Sequence, residues 1–132
     1  MIPKIRVWNY KKKEMSYNVL AIDFVNKWVE VDYPMYPIKY SFNDIESMLP
    51  TGIRDKNGKF IFEGDIVKNY NWDNGVSLSE VYFWHDECCF EVGRLSDKFH
   101  LRYTLNECLA NHFLEVVGNI YENPELLKEV KQ

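Results

Sequence analysis

Three carboxylates, Asp55, Glu63 and Asp65, lie close together in the chain, and a hairpin that folded them against one another would offer the paired groups of general acid and base catalysis. Each also has a structural employment. Asp55 stands beside a turn, where short polar side chains bond the local backbone, and Asp65 follows Gly64 in a second turn. Cys88, Cys89, His85 and His100 raise the question of zinc. Structural zinc sites need ligand pairs two to four residues apart, whereas adjacent cysteines on a strand point to opposite faces, and the chain has no C-x-x-C. No metal is expected, Cys88 and Cys108 read as small core residues, and Cys89 as exposed and oxidisable. There is no G-x-S-x-G elbow, and Gly52, Gly58 and Gly64, six apart, match neither a dinucleotide fingerprint nor a Walker loop. His112, at the end of a short helix, reads as a cation at the helix C-terminus or a satisfied surface residue rather than a base. No catalytic residue and no cofactor are expected, and the chain reads as non-enzymatic.

Binding chemistry is the remaining class. Lys4, Arg6 and the run Lys11, Lys12, Lys13 make an N-terminal basic edge, and Lys56 with Lys59 a second. Small β-barrels hold nucleic acid by stacking bases on rings within a positive groove, so this edge is the alternative site. Against it, 16 Lys and Arg face 20 Asp and Glu, a net charge of −4, and phosphate binding draws on a clear excess of cations. Lysines beside an edge strand also serve simply to discourage aggregation. The stretch Asn69 to Trp72 is the candidate partner surface. Tyr70 and Trp72 sit there in a polar loop, and such rings act either as anchors in a partner's pocket or as a lid over the end of a barrel.

The elements that must carry these residues are mostly strands, as an aromatic content of 16% favours. Residues 4–8 alternate as a half-buried strand does, and a polar turn over Asn9 to Lys13 leads to a second. Val19 to Phe24 and Trp28 to Tyr33 form a hairpin across Val25-Asn26-Lys27, and Pro34 and Pro37 are expected to end that sheet. Ser41 to Asp44 reads as a helix entrance, with Phe42, Ile45, Met48 and Leu49 on its apolar face and Pro50 as its stop. Asn57-Gly58 is a hairpin turn with positive φ expected at both residues, and Gly64-Asp65 a second turn. Residues 78–84 and 88–92 are two strands, with Cys88, Phe90 and Val92 inward and Cys89 and Glu91 outward. Thr104 with Glu107 fits a capping box for a helix over 105–111, with Leu105, Cys108 and Leu109 facing in. Residues 113–121 read as a last strand with a bulge at Gly118, and Asn123-Pro124-Glu125 as the start of a C-terminal helix capped by Asn123.

PKIRVW near the start, TGIRDKNGKFIFEGDIV at 51–67 and EVVGNIYENPELL near the end together resemble the YopX family of small proteins from bacteriophages and prophages. The resemblance touches both ends and the middle, and finds no pattern over 69–112. It implies a small strand-rich N-terminal lobe followed by an SH3-like β-barrel, and it implies no reaction. Reading and resemblance together give an α+β, mainly β chain. Its N-terminal lobe is residues 1–50 with a short helix, its barrel 51–122 and its helical tail 123–132. Gly52, Asn57, Gly58, Gly64, Asp65 and Gly118 are its structural turns.

The start lacks the apolar run of a secretory signal, no stretch reaches eighteen apolar residues, and three cysteines, two of them adjacent, make a poor disulfide framework. A bacterial cytoplasm, away from membranes, is expected. The expected function is that of a small binding module for a protein partner, a second copy of the chain included, with nucleic acid as the alternative partner.

Overall fold

The computed structural model describes residues 4–70, 77–84, 88–94 and 102–126. The chain divides into two compact units, Met1–Pro50 and Thr51–Gln132.

In the first unit, β1 (Arg6–Asn9) pairs antiparallel with both β2 (Glu14–Ser16) and β6 (Ile45–Met48), and β4 (Trp28–Val31) pairs with both β3 (Val19–Asp23) and β5 (Ile38–Ser41). Val7, Val19, Val29, Val31, Tyr40 and Ile45 form one core. Its turns are held by short polar side chains. Asn9 Oδ1 accepts the amides of Lys11 (3.0 Å) and Lys12 (2.9 Å). Asp23 Oδ1 accepts those of Val25 (3.0 Å) and Asn26 (2.9 Å), which closes the expected hairpin. The Asn26 backbone and side-chain bonds hold the Asp23 carboxyl below its usual range.

Two expectations are corrected here. Pro34 and Pro37 do not end the sheet, because β5 follows them and pairs with β4 across Val31 and Ile38; the prolines shape the connection. The helix expected after Ser41 is a single 3-10 turn, Phe42–Asp44, in which Ser41 Oγ accepts the amide of Asn43 (3.3 Å), and the chain then becomes β6. Ile45 and Met48 are both buried, three residues apart, which imitates a helical face. They lie on opposite faces of the strand, between them the exposed Glu46 and Ser47: Ile45 joins the core, and Met48 Sδ takes the Nε–H of Arg6 at 3.3 Å.

In the second unit β9 (Asp65–Asn69), β10 (Ser77–Trp84), β11 (Cys89–Arg94) and β12 (Arg102–Thr104) run as an antiparallel meander. After the helix α1 (Glu107–Phe113), β13 (Leu114–Asn119) returns to pair with β9, giving the order β12-β11-β10-β9-β13. A separate hairpin joins β7 (Pro50–Arg54) to β8 (Phe60–Phe62). The ladders close no sheet into a barrel among the described residues; the five-stranded sheet stays open, with β12 and β13 at its edges. Ile61, Val67, Val81, Val92, Leu105, Ala110 and Leu114 are its core.

The β7–β8 turn has positive φ at Gly58 (82°) and not at Asn57. Gly58 N–H bonds Asp55 C=O at 3.0 Å and Asp55 N–H bonds Lys59 C=O at 2.8 Å, a type I turn followed by a left-handed glycine, which needs one such residue where the expected two-residue turn needs two. The expected bulge before Gly118 is present, as the register slips between Val116 and Gly118. A Cβ at Gly118 would collide with the Asn123 side chain. That side chain accepts the amide of Asn119 at 3.1 Å and so turns back on β13, while Asn123 C=O accepts the amide of Leu126 at 3.1 Å where the helix begins. Glu125 and Leu126 are helical, and the rest of the predicted tail lies outside the described residues.

The facing of residues 88–92 and the cap of α1 also differ from expectation. Cys88 has φ 52° and is exposed in the turn before β11, Glu91 is 2% exposed, and Cys108 is exposed on α1. A residue in a left-handed turn does not continue the alternation of the strand that follows it. The cap of α1 is Asn106, whose Oδ1 accepts the amide of Leu109 at 2.8 Å, while Thr104 ends β12. No helix among the described residues is long and apolar enough to cross a membrane.

Candidate functional site

The carboxylates singled out by spacing are turned onto the backbone. Asp55 is 3% exposed; its Oδ1 accepts the amides of Asn57 and Lys59 and its Oδ2 that of Val116, all at 2.9 Å. Asp65, 1% exposed, accepts the amide of Phe62 at 2.8 Å. Gly64, at φ 90°, joins the turn before β9 to its neighbours, its N–H bonding Val81 C=O and its C=O accepting from Ile120. Gly52 has φ 79° within β7, and beside it Thr51 Oγ1 donates to Ile61 C=O at 2.7 Å. These residues fix turns and tie strands together. Cys89 is half-buried, its Sγ 3.9 Å from Glu91 Oε1, and His85 and His100 lie outside the described residues.

The N-terminal cations do not form one exposed edge. Arg6 is 2% exposed, within a strand buried on both faces, which removes it from the edge on which the nucleic-acid alternative placed it. Lys11 pairs with Asp44 at 3.2 Å. The Lys12 ammonium rides 4.8 Å from the Tyr33 ring centroid and 5.2 Å from that of Tyr40. Partial desolvation opposes its charge, but the Tyr40 and Tyr33 phenols and Glu14 outweigh it and raise its pKa. Lys4 and Lys13 are exposed. In the second unit Tyr70 is 39% exposed, its ring is covered by the Lys56 ammonium at 4.0 Å, and its amide bonds Phe113 C=O. Trp72 lies outside the described residues.

Spacing gave no sign of the feature that stands out. Of the ten large apolar side chains exposed among the described residues, nine belong to the first unit and the tenth is Tyr70. Several border an apolar cleft of 370 Å³ lined by Ile5, Ile22, Phe24, Val29, Phe42, Ile45, Glu46, Ser47 and Leu49. Its walls come from β3 and the turn after it, β4, the 3-10 turn, β6, and residues flanking β1 and β6. Phe24, 76% exposed, stands edge-on to Phe42 with centroids 6.2 Å apart, beside Val25, 88% exposed. The first unit holds seven Lys and Arg against six Asp and Glu, a net +1, and the second nine against fourteen, a net −5.

The family model described as YopX protein matches residues 4–128. The chain belongs to the YopX family. Two solved structures are similar to it over nearly their whole length. Protein EF1440 from Enterococcus faecalis is 29% identical, with a TM-score of 0.65 and coverage of 96% of this chain and 99% of that one. Protein yopX from Bacillus subtilis is 23% identical, with a TM-score of 0.64 and coverage of 96% and 98%. No curated protein matches the chain. Within the YopX stretches, Gly52, Asp55, Gly58, Gly64, Asp65, Gly118 and Asn123 are the residues that bend or bind backbone as described above.

Proposed function

We propose that this YopX-family chain is a binding module without chemistry of its own, and that it takes an apolar segment of a protein partner in the cleft of its N-terminal unit. The observation that carries the reading is the share of exposed apolar side chains in that unit, three of which, Ile22, Phe24 and Leu49, line the cleft. Exposed patches of this kind on a folded protein mark interaction sites. The non-enzymatic part is supported by Asp55 and Asp65, whose oxygens accept main-chain amides. The second unit suits a scaffold: a four-strand meander whose fifth strand returns to the first has the strand order of an SH3-like roll, here open. Cys88, Cys89 and Cys108, none of them in a disulfide, fit a reducing cytoplasm as its place of action.

Capture from a host lysate with the tagged chain tests the reading. Phe24→Ser with Leu49→Ser should lose the captured protein while the far-ultraviolet circular dichroism stays unchanged, and Tyr70→Ala should keep it. Capture that survives the cleft substitutions and fails with Tyr70→Ala would return the binding surface to the Tyr70 loop.

A further inference from the structure

Among the described residues β3 is the outer strand of its sheet and is laddered to β4 alone. Leu20, Ala21 and Ile22 are exposed one after another. A bulge at Leu20 interrupts the side-chain alternation of the strand, and the three exposed residues leave this stretch of β3 open to solvent. An open edge is a template for another strand, and folded chains blunt theirs with charge, proline, shortness or bulges. The other outer strands of this molecule are treated so. β2, β8 and β12 have three residues each, β5 carries Lys39, β6 carries Glu46, β7 begins on Pro50 and ends on Arg54, and β13 has Glu115 and a bulge. β3 has a bulge at Leu20, which adds twist, yet Val19 to Ile22 contains neither charge nor proline. Asp23, at its end, is occupied with the following turn.

We propose that β3 is a self-association edge: two copies of the chain pair antiparallel through Val19–Asp23 about a two-fold axis at Ala21, joining two three-stranded sheets into one of six. In this register Leu20 of each copy faces Ile22 of the other and Val19 faces Asp23, so no like charges meet. The net +1 of the N-terminal unit, against −5 for the second, leaves little repulsion between two such edges. Leu20, Ile22, Phe24 and Val25 expose side-chain surface on the order of 400 Å² per copy. With the main-chain edge added, two copies approach the roughly 1,000 Å² that a specific interface needs. The inference rests on reading the N-terminal unit as the binding face and names one occupant for its open edge.

Light scattering on the full chain at tens of micromolar should return twice 15.8 kDa. Ala21→Lys sets two ammonium groups against each other at the axis without touching the cleft lining, and Leu20→Glu places like charges near it; each should return the single mass with an unchanged circular dichroism spectrum. Met35→Gln, at an exposed side chain outside β3, should keep the double mass. In the wild-type chain the amides of 19–23 should gain hydrogen-exchange protection as concentration rises, a reading that needs no variant to fold. A single mass for the wild type, a dimer indifferent to both β3 substitutions, or protection independent of concentration overturns the proposal. A monomer that still captures a partner through Phe24 and Leu49 ends the dimer and keeps the binding module; a β3 dimer that captures nothing does the reverse.

Discussion

At the scale of single residues, the recurring device is a short polar side chain folded back on main-chain amides. Asn9, Asp23, Asp55, Asn106 and Asn119 all work in this way. Asp55 does most, since its bond to Val116 fastens the β7–β8 hairpin to β13, 61 positions away in sequence. Removing an acceptor that serves three part-buried amides leaves each of them unmatched. Asp55→Ala should therefore lower the unfolding free energy by roughly 3 kcal/mol, measured by urea denaturation, whereas Glu63→Gln should change it by less than about 0.5 kcal/mol. The turn half of the Asp55 role was legible in the sequence, because its amides lie two and four residues on. The Val116 half was not, since nothing local signals it. Arg6 escaped in the same manner: alternation placed it on an exposed edge, and only the neighbours of β1 on both faces bury it.

Among the elements, β10 carries a carboxylate in an unfavourable place. Glu80 sits between Gly93 and Ile66 on the neighbouring strands, and burial raises its pKa above the ordinary value. Between the unfolded and the raised folded value, the native chain holds a proton that the unfolded chain has lost, so stability falls as pH climbs through that window. Glu80→Gln should match the wild type near pH 4, where both side chains are neutral, and exceed it at pH 7. Urea midpoints across that range check this; a constant gap would show that Glu80 does not titrate there in the way its burial implies. Elements fixed by local chemistry were legible: the 19–33 hairpin, the Gly58 turn, β10 with β11, and the bulge before Gly118. β6 was not, because β1 covers it from far along the chain and the resulting three-residue burial spacing copies a helix. The start of α1 was misplaced because Thr104 and Asn106 are both good caps, and pairing of Thr104 with Glu91 claims the first for β12.

For the molecule as a whole, charge and apolar surface are divided unequally between the two units, and the division bears on the nucleic-acid alternative. With Arg6 buried, Lys11 paired with Asp44 and Lys12 resting on two tyrosines, the N-terminal edge is left with Lys4 and Lys13 to replace counterions along a phosphate backbone. No electrophoretic shift of single- or double-stranded DNA is expected at about 0.15 M salt; a shift that fades steeply as salt rises would restore that reading. The cleft itself was not legible, because Ile22, Phe24 and Leu49 look individually like ordinary hairpin or core residues, and only folding brings them to one cleft.

Ile5 lies within PKIRVW and lines the cleft, whereas Ile22, Phe24 and Leu49 fall between the PKIRVW, 51–67 and C-terminal stretches. Most of the cleft wall and most of the bends are thus written in different parts of the chain, so a substitution in the wall alters what the cleft can hold and leaves the bends as they are.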